Sequence, residues 1–271
     1  EQDGDLFNGA VVALGALGVV TKVTLDLLPT FSIQQDIYEG LPIRHLDDSF
    51  DAIMSAGDSV SLFPKWQSDR IDSVWVKQWL PDGAARTAPE TFYDAKLASQ
   101  NRLIDPNSDR YGTGMGTPGV WYERMPHFVF KNAEQVGNEL QSEYFVPRQY
   151  AVAAIKAVAA LGPQLASVIG VSEIRSVAAD QLWLSPAYEQ NIIGIHFNWL
   201  KNWAGVAPLL PVIEAALAPF HPRPHWGKLF ALTPGQVQAA YPRLADFRAL
   251  CHELDPQGKF RNAYVDRYVF G

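Results

Sequence analysis

Three short stretches carry residues able to do chemistry, at spacings that bring them onto one surface. Residues 171–178 set Ile and Val among short polar residues and read as a strand, which points residues i and i+2 to the same face. Glu173 and Arg175 therefore lie side by side, with Ile174 on the other face. In residues 191–200, Ile193, Ile195, Phe197 and Trp199 make an unbroken apolar face, and Gly194, His196 and Asn198 look the opposite way. In residues 139–146, Gln141 and Glu143 share one face against Leu140, Tyr144 and Val146. An isolated Glu-x-Arg is more often a surface ion pair on an edge strand. The same arrangement on three strands shifts that balance. If the strands are neighbours, one sheet face collects Gln, Glu, Arg, His and Asn over an apolar backing. Convergent polar groups on rigid elements are how a site for a polar small molecule is built.

Other elements must hold these strands. Alternation predicts further strands over 33–41, 59–66 and 73–80, and helical spacing predicts helices over 45–56 and 148–161, the second stopped by Gly162-Pro163. A helical pattern over 203–220 carries Pro208 and Pro211, expected to break its start. Two short helices are expected between 233 and 254. The order of elements implies an α+β fold, an antiparallel sheet flanked by helices. Residues 9–19 read as a short buried helix entering a tight turn at Gly15 and Gly18, and residues 20–27 as a half-buried strand ended by Pro29. Residues 81–119, rich in Asp, Asn, Gly and Pro, read as a long irregular loop. In residues 221–228, His-Pro-Arg-Pro-His-Trp-Gly-Lys, the prolines enforce an extended path that fixes where Lys228 sits. His127 reads as a buried structural histidine rather than a catalyst.

Composition bounds the rest. The chain has 271 residues, 48% hydrophobic, enough for one large or two modest domains. A net charge of −7 and a pI near 5.3 argue against nucleic acid or an anionic membrane as partner. Gly, Pro or a charge interrupts each apolar run, so no membrane span is expected, and the acidic start does not read as a signal peptide. The single cysteine, Cys251, excludes an internal disulfide, reads as a small core residue and suits a reducing, cytoplasmic setting. No Cys/His cluster has zinc spacing, so no metal is expected.

Residues 13–21, Ala-Leu-Gly-Ala-Leu-Gly-Val-Val-Thr, resemble the flavin-contacting end of the FAD-binding domain in the vanillyl-alcohol oxidase/PCMH flavoprotein superfamily. Nearly the whole chain then resembles that superfamily's bacterial alditol (xylitol/sorbitol) oxidase branch. The resemblance runs through Val60-Ser61-Leu62-Phe63, Glu123-Arg124-Met125-Pro126-His127-Phe128 and Glu139-Leu140-Gln141-Ser142-Glu143-Tyr144. It continues through Ser172-Glu173-Ile174-Arg175, the stretch Trp183 to Tyr188, the stretch Arg223 to Lys228, and Asp255 to Ala263.

The resemblance implies FAD as cofactor, with Gly15, Gly18, Val19 and Val20 at the flavin. It implies a polyol and O2 as substrates, oxidised at a terminal alcohol with release of H2O2. Glu173, Arg175, His196 and Lys228 fall on the family's catalytic and substrate-binding positions, with Gln141 and Asn198 as hydroxyl-binding neighbours. His196 is the expected proton acceptor, because imidazole titrates near working pH. Arg175 and Lys228 would favour an alkoxide-like oxygen and the reduced flavin, and Glu173 would hold Arg175. The family commonly carries Thr where this chain has Asn198, which leaves the preferred polyol open.

The expected division is residues 1–32 as the end of the FAD-binding domain, 33–229 as the substrate-binding cap, and 230–271 as a closing segment returning to the FAD domain. The family's pyrophosphate-binding half, with its covalent-attachment histidine, has no counterpart here. The chain therefore looks like an oxidase without its first third, with that missing segment as a partner and the FAD site incomplete. Two other readings stay open, a sugar-lactone oxidase and a non-catalytic sugar- or polyol-binding module.

Overall fold

The computed structural model describes residues 4–81, 83–99, 114–125 and 140–271. His127 and Glu139 lie outside these residues. Ten strands form one sheet among the described residues: β1 Ser32–Pro42, β2 Ser59–Phe63, β3 Arg70–Leu80, β4 Thr91–Phe92, β5 Ala95–Leu97, β6 Gly119–Val120, β7 Leu140–Pro147, β8 Ile169–Val177, β9 Ile192–Trp199 and β10 Arg223–Pro224. The order is β10-β7-β9-β8-β2-β3-β1-β5-β4, with β6 also on β1, and each pairing is antiparallel. The helices are α1 Asp5–Val11, α2 His45–Met54, α3 Trp121–Arg124, α4 Ala151–Ala159, α5 Gly162–Leu165, α6 Trp203–Val206, α7 Leu209–Leu217, α8 Pro234–Ala240, α9 Leu244–Leu254 and α10 Ala263–Val265. This is the α+β architecture expected from the sequence.

One face of the sheet is buried under helices. In β9, Ile193, Ile195 and Phe197 are fully buried and Trp199 nearly so, all on the face away from His196. Helix α4 covers them with Ala151, Ala154, Ile155 and Val158, which recur at the spacing of one helix face. Residues of α2 and α7 complete this first core. Burying such a side chain contributes about 1.5–3 kcal/mol each, so one face of β7, β9 and β8 is committed to packing. The period of two then hands the other face to polar residues.

A second core lies beside the first and draws on both ends of the chain. Val237, Leu244, Phe247, Leu250, Cys251 and Val269 pack there with Ala16, Trp183, Leu184 and Trp226. Cys251 is buried, as its reading as a core residue requires. Asp5 ties the start of the chain in, accepting from Trp183 Nε1 (2.9 Å) and pairing with Arg243 (2.7 Å).

The structure differs from the sequence reading in four places. The helix near the start is α1, and only Gly9 of it is buried. Residues 20–27 form no strand; Val20, Val23, Leu25 and Leu27 are exposed. Alternation marks a segment that can pair, but a strand also needs a neighbour for its backbone groups, and none of the described residues supplies one. The described part of the 81–119 stretch is more regular than expected, because β4, β5 and β6 extend the sheet at β1, while residues 82 and 100–113 lie outside the described residues. Residues 203–220 meet the length and apolarity of a membrane span, contrary to expectation, with mean hydropathy 1.5 over 18 residues. They are broken between α6 and α7 at Ala207 and Pro208, and Val206, Leu210, Ile213 and Leu217 pack into the first core.

Candidate active site

Strand β9 runs between β7 and β8, so the three stretches that the sequence singles out are direct neighbours. Glu143, His196 and Glu173 stand in one row across the strands, and Gln141 pairs with Asn198 in the next. On the other side of the His196 row, Gly194 separates Phe145 from Arg175. All these positions share the face opposite the first core.

The hub of this face is Glu143, only 2% exposed. Its Oε1 accepts from Arg175 Nη2 (3.0 Å) and Nε (3.2 Å), and its Oε2 accepts from Lys228 Nζ (2.7 Å). Glu173 stands farther from Arg175, with Oε2 3.7 Å from Nη1. Arg175 is therefore hydrogen-bonded to Glu143 and ion-paired with Glu173 as well, so the expected Glu173 contact is present and a second, closer carboxylate joins it. The reason is geometric. Residues i and i+2 of one strand project in parallel from bases about 6.6 Å apart, whereas Arg175 reaches Glu143 diagonally across β9. It crosses over Gly194, where a Cβ would lie 2.7 Å from Glu143 Oε1 and 3.0 Å from Phe145 Cε1. Glycine keeps that path open.

The backbone places Lys228. In β10, Arg223 and Pro224 pair with Phe145 and Tyr144, and the chain stays on the β7 edge through His225 N–H to Glu143 O (2.9 Å) and Leu229 N–H to Gln141 O (2.8 Å). Between those two bonds, Trp226 turns into the second core, its Nε1 donating to Leu184 O (2.9 Å) and its ring 4.6 Å from Tyr241. Lys228 is left on the polar side of this arch, above Glu143.

The charges settle one another. Burial alone would raise the Glu143 carboxyl, but the positive charges of Arg175 and Lys228 outweigh it and hold the group below its usual range. Burial pulls the imidazole of His196 down, and the nearby Lys228 and Arg175 charges add to this, bringing its pKa to about 4. At neutral pH the ring is uncharged, so it is a free base rather than a group titrating near working pH as the sequence led one to expect. His196 Nε2 lies 3.4 Å from Gln141 Oε1. Lys77 of β3 projects on the same face, pulled down chiefly by burial and within the fields of Glu173 and Arg175.

Glu173, Arg175, His196, Lys228, Gln141 and Asn198 thus come together on one surface. Gly15, Gly18, Val19 and Val20 occupy a separate turn. Gly15 and Gly18 have φ of +74° and +132°, and a Cβ at Gly15 would meet nothing within 4 Å. Their neighbour Ala16 is buried in the same core as Trp226, two residues from Lys228. Strand alternation puts Glu143 on the same face as Gln141, yet the expected site residues do not include it. Lys77 and His225 were also passed over. Lys77 had only strand alternation to mark it.

An uncharged imidazole, a buried carboxylate and two fixed cations on one rigid surface can bind hydroxyl groups, stabilise negative charge on oxygen and accept a proton. Comparisons with known proteins give the chain its relatives. Residues 125–268 match the family model described as D-arabinono-1,4-lactone oxidase. The alditol oxidase of a Streptomyces species is 42% identical over 264 residues, covering 96% of this chain and 61% of that one. Among solved structures, a solvent-stable cholesterol oxidase is similar with a TM-score of 0.59 at 14% identity, over 88% of this chain and 60% of that chain. A VAO-type flavoprotein from Myceliophthora thermophila follows with a TM-score of 0.56 at 12% identity, over 94% of this chain and 51% of that one. At those identities the two structures show a shared fold. The chain spans 61% of the length of the alditol oxidase it matches.

Proposed function

The chain belongs to the D-arabinono-1,4-lactone oxidase family, and from that premise we propose that it forms the substrate-binding part of an FAD-dependent oxidase of alditols such as xylitol or sorbitol. The observation that carries this reading is the polar face itself, where Glu143 anchors Arg175 and Lys228 beside the uncharged His196. The 42% identity to an alditol oxidase supports the substrate class. The sugar-lactone reading has the family's description in its favour and is separated by the assay below.

Each residue has a proposed task. Glu173 and Gln141 accept hydrogen bonds from substrate hydroxyls, Asn198 offers both a donor and an acceptor, and Arg175 and Lys228 donate. His196 accepts the hydroxyl proton at the ring nitrogen that carries the lone pair. Arg175 and Lys228 stabilise the oxygen as that proton leaves. Glu143 touches no substrate in this scheme and positions both cations. The residues present fit a flavin edge: Gly15 and Gly18 hold backbone conformations that favour glycine, and the backbone at Gly15 is open to close approach. Gly15, Gly18, Val19 and Val20 would hold that edge. FAD bound there would take the hydride from carbon and pass two electrons to O2, giving the aldehyde and H2O2.

We also propose the division into residues 1–32, 33–229 and 230–271, supported by the joint packing of both chain ends in the second core. The test of the function is peroxide release by the flavin-loaded enzyme across a panel of polyols and sugar-1,4-lactones. Release with alditols and little with lactones is expected. Turnover of lactones alone would reassign the substrate, and turnover of neither would leave the binding-module reading.

A further inference from the structure

A cleft of about 580 Å³ lies between α7 and α8, lined in part by Pro211, Glu214, Ala215, Arg223, Leu232 and Ala239. It opens on the helix side of the sheet. Tyr144 points that way and bonds to Glu214, while its neighbour Glu143 points into the polar face. The cleft is therefore distinct from the site described above.

Two buried ionisable side chains meet it, and among the described residues neither stands in an ion pair. Arg223 is 9% exposed, and its described bonds all go to carbonyls: Nε to Ala240 O (2.9 Å), Nη1 to Pro186 O (2.8 Å) and, at 3.5 Å, to Tyr188 O. Glu214 is 6% exposed, and its Oε1 accepts from Tyr144 OH (2.8 Å) and Ala231 N–H (2.6 Å), both neutral donors. Among the described residues, neither has an opposite charge within the 4.0 Å of an ion pair, so the two are not paired with each other. Burial pulls Arg223 down, offset in part by Tyr241 and the more distant Asp180 carboxylate, and burial pushes Glu214 up, offset in part by its hydrogen-bond donors. The carbonyl bonds tie β10 to residues 186–188 and to the end of α8, a structural task that needs N–H groups and no net charge. Glu214 likewise clasps residue 231 in a way that a neutral acceptor could. What remains is one basic and one acidic side chain, not paired with each other, at a cleft walled by Pro, Ala and Leu with Gln190, Gln236 and His221 among them.

We propose that this cleft binds a short organic zwitterion, its carboxylate on Arg223, its ammonium on Glu214 and its carbon chain along Pro211, Ala215, Leu232 and Ala239. Such a ligand sets an opposite charge against each side chain at once, and a singly charged molecule of the same length reaches only one of them. The alditols and lactones proposed for the polar face carry neither charge, so the two sites select different molecules.

Calorimetric titration of the protein near neutral pH tests this with ω-amino acids of three to six carbons, the series reading out the charge separation. The best of them is then compared with the carboxylic acid and the amine of the same chain length. We expect saturable binding of one ω-amino acid, with both analogues weaker by about tenfold or more. Ala239→Trp fills the rim at an exposed position without touching either charge, and should abolish binding while the protein stays folded. Glu214→Gln should bring the ω-amino acid down to the level of the carboxylic acid. No saturation by any of the series, equal binding of the three charge types, or binding unchanged by Ala239→Trp would each overturn the assignment. If Glu214→Gln does not fold, Ala239→Trp and the analogue comparison still decide the matter.

Discussion

Glu143 is a buried carboxylate whose two oxygens are taken by two different cations, and that division of labour sets what each residue of the face can do. Removing it with Glu143→Ala leaves Arg175 and Lys228 without their anchor. Losing one member of a buried pair costs on the order of 3–5 kcal/mol. Arg175 is 41% exposed and solvent screens its charge, so the expected loss lies at or below the lower end. Urea denaturation of the variant checks this. For His196, we expect His196→Ala to lower turnover of the flavin-loaded enzyme by about 10²–10⁴-fold, the usual cost of a lost general base. The loss should appear in turnover number far more than in KM; near-wild-type flavin reduction in anaerobic single turnover would reassign proton removal. The sign of the pH effect follows from the lowered pKa. A base must be unprotonated, so kcat/KM should stay level where a free imidazole titrates and fall only as the pH drops toward about 4. Stability shifts the same way. Unfolded His196 binds its proton near the ordinary value of about 6.5, and folded His196 only near 4. The unfolded chain thus takes up more protons between those values, and the contribution of this group, complete above the upper value, is lost as pH falls through the window. Urea midpoints measured across that window should slope less in His196→Gln.

At the scale of the element, three strands convert two-residue periodicity into a site because each has an apolar face that cannot turn outward. A one-residue slip of β9 would put Phe197 and Trp199 in water and His196 in the core. Gly194 is where that arrangement is most sensitive. Its Cβ position, 2.7 Å from Glu143 Oε1, is on the path Arg175 takes across β9. Gly194→Ala should force Glu143 aside at an overpacking cost of about 1–3 kcal/mol, and should lower kcat/KM while leaving the sheet intact. A variant with wild-type kcat/KM, its circular dichroism unchanged, would show that Arg175 does not depend on Glu143 for its position.

Among the described residues, the two larger cores are linked by side chains that serve packing and site together. Trp226 is the clearest of these, sunk into the second core two positions before Lys228. Trp226→Ala should therefore act twice. Emptying so large a buried side chain typically costs about 3–5 kcal/mol, read as a lowered urea midpoint. The loosened arch should also raise the KM for the polyol, because Lys228 loses its fixed approach to Glu143. A drop in stability with KM unchanged would mean that the bonds of His225 and Leu229 to β7 suffice to hold Lys228. At the same scale, residues 19–28 expose Val19, Val20, Val23, Leu25, Leu27 and Leu28, and this run pairs with no strand among the described residues.

The sequence by itself determined which residues share a face, because the pleat fixes that locally: Glu173 with Arg175, His196 with Asn198, Gln141 with Glu143. It also determined the rigid approach of Lys228, since proline restricts the backbone without help from neighbours. Strand order, cross-strand register and the depth of each group were decided only by the tertiary structure. Those features gave Arg175 a second and closer carboxylate in Glu143 beside Glu173, and they made Gly194 the gap that this contact needs. They also shifted His196 well away from the value of a free imidazole. Each outcome depends on distances between segments far apart in the chain and on how much water reaches them, and no local pattern encodes either. The unpaired 20–27 segment makes the same point from the other side, since alternation gives a stretch the capacity to be a strand, while backbone hydrogen bonds come only from a neighbour.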